Sequence, residues 1–198
     1  MLKSLEISGF KSFAKKTELN FKSKITAIVG PNGSGKSNVV EAFRFVLGEQ
    51  SMRSMRGKRG EDLIWNGSGE ISRANRASVK IRLENKNNFF SKLSDIKSAS
   101  DFDELIIERV VNRDGTNEYL LNGSGVRLKD IVEILSFAHI GSSGHHIISQ
   151  GEADKILRSN TKERREMIED ALGLKIYQIR REDSQKKLEK TLQNIKEV

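Results

Sequence analysis

Gly30-Pro31-Asn32-Gly33-Ser34-Gly35-Lys36-Ser37 fits the pattern G-x-x-x-x-G-K-[ST]. At ordinary residue frequencies a chance match in a chain of this length is on the order of one in a hundred. Ile25 to Val29, just before it, reads as a short apolar strand that runs into the loop. After it, Val39, Val40, Phe43, Phe45, Val46 and Leu47 fall at helical spacing, and Gly48 is a natural stop. Strand, glycine-rich loop and helix, in that order, are the context a phosphate-binding loop requires. Gly30, Gly33 and Gly35 let the backbone wrap closely, so that its amides and the helix N-terminus point at an anion. Lys36 brings a cation to the β- and γ-phosphate oxygens, and the Ser37 hydroxyl suits the metal that bridges them. Pro31, Asn32, Ser34 and Asn38 complete the lining. The stretch predicts binding of ATP with Mg²⁺.

Working outward, Leu2, Leu5, Ile7 and Phe10 predict one strand and Leu19-Asn20-Phe21 another. Val79, Ile81 and Leu83 alternate with Lys80, Arg82 and Glu84, the period-two signature of a half-buried strand. Leu105 to Val111 and Tyr119 to Leu121 flank Asp114-Gly115, a dipeptide that tolerates the positive φ of a hairpin turn. Asn85 to Asp101, rich in Asn, Ser and Lys, predicts a surface insertion. Leu128 to Leu135 predicts a helix, and Ile147-Ile148 a short buried strand ending at Gln150-Gly151. A further helix starts at Asn160, with Glu163 completing a capping box, and closes at Gly173. From Leu174 apolar residues fall at 174, 177, 188, 195 and 198, a heptad seam in which Arg181, Ser184 and Thr191 are weak members. An amphipathic surface helix fits the same spacing.

The 198 residues suit one domain, or one domain with an extension, and are enough to bury a core. Cysteine is absent, which excludes disulfides, thiol catalysis and Cys-ligated zinc. No apolar run exceeds three residues and the N-terminus is charged where a signal peptide would be apolar, so a soluble cytoplasmic protein without a membrane partner is expected. Net charge is +8. Residues 151 to 198 hold 12 basic and 10 acidic side chains, so six of the eight excess charges lie on residues 1 to 150. That balance favours a polyanion such as DNA, and a basic, soluble surface accounts for it equally.

Several segments together resemble the N-terminal half of the head of a structural maintenance of chromosomes (SMC) ATPase, an ABC-type protein. They are Ile7-Ser8-Gly9-Phe10-Lys11-Ser12-Phe13, the phosphate loop, Leu47-Gly48-Glu49-Gln50-Ser51, Ser54-Met55-Arg56-Gly57, Ile147-Ile148-Ser149-Gln150-Gly151, Glu163-Arg164-Arg165 and Glu169-Asp170-Ala171-Leu172-Gly173-Leu174. The phosphate loop is shared by many enzymes, whereas the Gly-Phe-Lys-Ser-Phe and Gly-Glu-Gln-Ser wording is narrow to this family. The resemblance implies an α/β fold, an ABC-type P-loop head half with a mixed sheet and an antiparallel lobe, over residues 1–172. It implies the start of a coiled-coil arm over 173–198. It also implies a C-terminal head half of the same protein, a second head in a homodimer, DNA, possible accessory subunits, and association with the nucleoid.

Carried over by position, Gln150 matches the family's Q-loop glutamine, which ligates Mg²⁺ and places the attacking water; its amide oxygen suits a hard cation. Without the family, a Gln at a strand end is most often a surface or capping residue. Arg56 matches the family's arginine near the nucleotide, in a basic stretch with Arg53, Lys58 and Arg59. A solvated basic loop accounts for the same residues. Lys11 and Ser12 match positions beside the nucleotide, and strand-edge solvation is the alternative. His145-His146 depart from the family pattern, and with His139 alone besides them a zinc site is not expected.

A hydrolysing site of this type needs an Asp and a Glu at the end of an apolar strand and a Leu-Ser-Gly-Gly signature from a partner head. Asp103-Glu104 precedes its apolar run, Glu61-Asp62 follows a glycine, and no signature occurs. Losing one such electrostatic element commonly costs ~10²- to 10³-fold in rate. The isolated chain is therefore expected to be an incomplete ATPase, and Lys196-Glu197-Val198 ends inside a helix as a truncated arm would. Two other readings are an ABC transporter nucleotide-binding subunit and a coiled-coil DNA double-strand-break repair ATPase. The 114 residues from Lys36 to Gln150 are long for the former.

Overall fold

The computed structural model describes residues 2–86, 103–138, 140, 147–148, 157, 159–172 and 174–196. The chain divides into two compact units, Met1–Ile134 and Leu135–Val198.

The first unit is built on a six-stranded sheet. Its strands are β1 (Leu2–Ser8), β2 (Thr17–Asn20), β3 (Arg76–Glu84), β4 (Glu104–Asn112), β5 (Asn117–Leu121) and β6 (Ser124–Val126), and the spatial order is β2-β1-β3-β4-β5-β6. Every pairing is antiparallel. Alternation dictates the register: Leu5 sits opposite Ile81, Ile81 opposite Ile107, and Ile107 opposite Leu121, a stripe with each residue at most 1% exposed. The neighbouring row is Glu6, Lys80 and Glu108, on the other face, with Lys80 Nζ 3.3 Å from Glu108 and 3.8 Å from Glu6. A one-residue slip would exchange these rows, so burial and charge specify the same pairing.

Helix α1 (Lys36–Val46) lies against β3 and β4 through Val39, Ala42, Phe45 and Val46. The Phe45 ring meets Phe10 at 5.3 Å between centroids, and burying one such side chain stabilises by about 1.5–3 kcal/mol. Gly48, at φ 95°, ends the run where a side chain would meet Leu128 of α2 (Leu128–Phe137). Two tight turns complete the sheet. Gly115, at φ 88°, closes the expected β4–β5 hairpin. Asn122 and Gly123, both at positive φ, close β5–β6 in the two-residue geometry that Asn-Gly favours, a turn legible in the sequence but not among those anticipated.

The second unit contains α3 (Thr161–Ala171) and α4 (Lys175–Lys196). The capping box forms: Glu163 N donates to Asn160 Oδ1 at 2.9 Å and Asn160 N to Glu163 Oε2 at 3.1 Å. Helix α4 spans about 33 Å. Tyr177, Leu188 and Ile195 are exposed on it, and Leu192, absent from the expected seam, lies between Leu188 and Ile195 at i+4 and i+7 spacing.

Two expected strands do not form. Ile25 to Val29 belongs to no ladder, and Ile25 and Val29 are 88% and 89% exposed. An apolar run of this kind is a strand only where neighbours supply its hydrogen bonds and cover both faces. Among the described residues the six strands pair with one another and none pairs with this run. Ile147-Ile148 is likewise no strand, with Ile148 73% exposed. Leu19 and Asn20 lie in β2, which begins earlier, at Thr17, and Phe21 N donates to Lys3 O at 2.8 Å in the register that pairs Ser4 with Asn20. Gln150, Gly173, the three histidines and most of the Asn85 to Asp101 insertion lie outside the described residues. Among the described residues no helix is long and apolar enough to cross a membrane.

Candidate nucleotide site

The loop reaches α1 through Gly33 at φ 82° and Gly35 at φ 90°, the latter preceding the first helical residue. A side chain at Gly35 would meet the Ser12 hydroxyl at 2.8 Å, so glycine there permits close approach as well as the left-handed turn. Asn38 N donates to Gly35 O at 2.9 Å, starting the helix. Lys36 Nζ donates to Gly30 O and Pro31 O, both at 2.7 Å, which folds the ammonium back over the loop. Asn32, Ser34 and Ser37 are not buried, and the Ser37 hydroxyl stands exposed at the first turn.

Beside the loop stands the Gly9 to Phe13 segment. Gly9, at φ 63°, has no room for a side chain, because a Cβ would lie 2.4 Å from Arg76 O. Trp65 N donates to Gly9 O and Lys11 N to Leu63 O, both at 2.8 Å, and Phe10 bridges Ile64. These bonds aim the following residues at α1. Asn38 Nδ2 donates to Ser12 Oγ at 2.7 Å, and Lys11 Nζ reaches Glu41 and the Met55 carbonyl.

Arg56 follows directly on Met55, whose carbonyl Lys11 reaches. Met55, fully buried, anchors its turn, and Arg56 Nε lies 3.3 Å from Glu41 Oε1. Glu41 is thus a carboxylate only 5% exposed that faces two cations. Lys11 and Arg56 both adopt left-handed backbone, at φ 47° and 51°, at a cost of about 1–2 kcal/mol per residue. Lys11, Ser12 and Arg56 are therefore gathered against α1, Ser12 through Asn38 and the two cations through Glu41, a residue the motif reading passed over. The signal for Glu41 was its place on the buried face of α1, with Ala42 and Phe45.

A second unanticipated polar group supports the helix from its far end. Arg109, 2% exposed, donates through Nη1 to Phe45 O at 2.9 Å and Glu49 O at 2.6 Å, and through Nη2 to Asn117 Oδ1 at 3.2 Å. Its guanidinium lies 4.2 Å from the Phe45 ring centroid and 5.0 Å from that of Tyr119. Burial pulls its pKa down, opposed by Tyr119 and Glu49. A cation at a helix C-terminus satisfies orphan carbonyls and opposes the dipole.

The donor chemistry fits a magnesium nucleotide. The Ser37 hydroxyl is a hard oxygen donor that would suit Mg²⁺, and a helix N-terminus after positive-φ glycines suits a phosphate.

Residues 1–157 match the RecF/RecN/SMC N terminal domain family. The chromosome partition protein Smc of Halothermothrix orenii is 44% identical over 197 residues, which is 100% of this chain and 16% of that protein. Smc of Bacillus subtilis is 42% identical over the same shares. The chain thus spans about one sixth of the length of these relatives. Among solved structures, an Smc head domain with an extended coiled coil from Pyrococcus furiosus, bound to the C-terminal domain of ScpA, superposes with TM-score 0.78 at 38% identity. That match covers 98% of this chain and 47% of the other. A chain from work on ATP-driven dimerization and DNA-stimulated activation of SMC ATPases superposes with TM-score 0.73 at 39% identity, over 85% of this chain and 98% of that one.

Proposed function

The chain belongs to the SMC family of chromosome ATPases, whose heads bind nucleotide, and on that premise we propose that it is the ATP-binding N-terminal segment of such a head. The observation that carries this reading is the loop itself, with positive-φ glycines leading into α1 and the exposed Ser37 hydroxyl at its first turn. Gly30 to Ser37, Asn38, Lys11 and Ser12 would line the nucleotide, with Ser37 and Gln150 on Mg²⁺ and Lys36, Gln150 and Arg56 serving the reaction. The metal would neutralise charge on the phosphate oxygens. Lys36 would leave the Gly30 and Pro31 carbonyls for the phosphates, a shift its flexible stem permits.

Residues 1–172 would form the head part and 173–198 the arm. The exposed Ile25, Ile28 and Val29 support a missing cover: a C-terminal head half of the same protein would supply the neighbours this run lacks. A second head would complete the reaction, by analogy with the relative characterised for ATP-driven dimerization, and an accessory subunit is suggested by the ScpA-bound heads. The isolated chain would bind ATP and hydrolyse it negligibly. DNA association near the bacterial nucleoid, in the cytoplasm and in chromosome condensation, rests on the positive charge and the family.

Calorimetry with MgATP tests the reading. The chain should bind, and Lys36→Ala should lose most affinity while remaining folded; equal binding by the folded variant would overturn it. For DNA, log affinity should fall linearly with log salt and vary little with sequence, and a flat response would count against that part.

A further inference from the structure

We propose that Glu41 is a positioning residue that holds Arg56 and Lys11 in place for a polyphosphate ligand, an inference that rests on the nucleotide-binding reading above. Glu41 sits five residues beyond Lys36 on the same helix, one turn past Asn38. Its carboxylate is 5% exposed and its two oxygens are divided: Oε2 pairs with Lys11 and Oε1 with Arg56 at 3.3 Å. A carboxylate buried to this degree is sustained by such partners. The same lysine also donates to the carbonyl of Met55, the residue before Arg56, so the basic turn meets α1 directly through Arg56 and a second time by way of Lys11.

Arg56 is engaged through Nε and remains 70% exposed, which leaves the outer part of its guanidinium open to an anion. A planar fork held at one nitrogen is pre-oriented, and little further freedom is lost when the others bind phosphate. Both cations occupy left-handed backbone at non-glycine residues, a conformation that persists where surroundings over-determine it. Glu41 is the contact they share.

The sign of one substitution separates positioning from simple charge. Glu41→Gln adds one unit of positive charge to the site, so a purely electrostatic role would tighten MgATP binding. Loss of orientation should instead weaken it, by about threefold or more. In an Arg56→Ala background the same substitution should have a smaller effect, because one of the two cations it positions is gone and only Lys11 remains. Calorimetry on the 198-residue chain reads both. If the parent chain binds and Lys36→Ala abolishes binding, unchanged or tighter binding by Glu41→Gln overturns this inference alone. Additive effects in the double variant overturn it as well. Absence of binding by the parent chain overturns the nucleotide reading and this inference with it. Should Glu41→Gln fail to fold by circular dichroism, Arg56→Lys decides: its single ammonium keeps the charge but cannot hold Glu41 and present further nitrogens. Weakened binding supports positioning, and parental affinity refutes it.

Discussion

Arg109 Nη1 donates to the Phe45 carbonyl at 2.9 Å while the same guanidinium lies 4.2 Å from the Phe45 ring centroid. One strand residue therefore satisfies the helix end and packs against its last large apolar side chain. Since α1 carries the loop at its other end, the contact fixes the helix that positions the candidate site. Arg109→Ala would take away the donor to the Glu49 carbonyl and one of two donors to the Phe45 carbonyl, which keeps Gly48 N at 3.2 Å. Stability should fall by about 1–3 kcal/mol, the cost of one unsatisfied carbonyl, read as a lower urea midpoint with little change in slope. A midpoint within error of the parent would contradict this account.

Gly9→Ala places a Cβ 2.4 Å from the Arg76 carbonyl oxygen, in backbone at φ 63°. Both effects act on a segment tied to Leu63 and Trp65, so the backbone must shift. A loss of at least about 1–2 kcal/mol is expected, with weakened MgATP binding, because Lys11 and Ser12 follow directly. An alanine variant of parental stability would show that the segment moves without cost.

Asn160→Ala removes the acceptor for Glu163 N and breaks the reciprocal box. The cost should be about 0.5–2 kcal/mol, confined to α3. Faster amide exchange in its first turn, with β3 and β4 unaffected, is the expected pattern; uniform exchange changes would exclude a local role.

Asp62 accepts from Arg59 N at 2.9 Å and Lys58 N at 2.7 Å, and these bonds hold its pKa below the usual 3.8. A carboxyl depressed in the folded state contributes stability that is fully present above its unfolded value. That contribution is lost as pH falls through the lower folded value. An NMR titration of the Asp62 carboxyl should give a midpoint below 3.8. Asp62→Asn should flatten the stability profile across that acidic window and leave neutral pH nearly unchanged relative to its own acid value. A midpoint at or above 3.8 would refute the depression.

What the sequence determined by itself was local. The phosphate-loop spacing, the period-two rows of β3 and β4, the Asp114-Gly115 turn and the Asn160 cap each depend on residues a few positions apart, and the structure has all of them. Asn122-Gly123 was equally local and readable. Only the tertiary structure decided the rest, because the deciding partners are distant in the chain. Glu41 meets Lys11 thirty residues before it, and Arg109 meets the end of α1 sixty-four residues back. No periodicity announces such partners; a charge on an apolar face is the one trace they leave. Ile25 to Val29 shows the same limit from the other side. Its composition suits a strand, yet strand formation needs a hydrogen-bonding neighbour, and among the described residues none pairs with it.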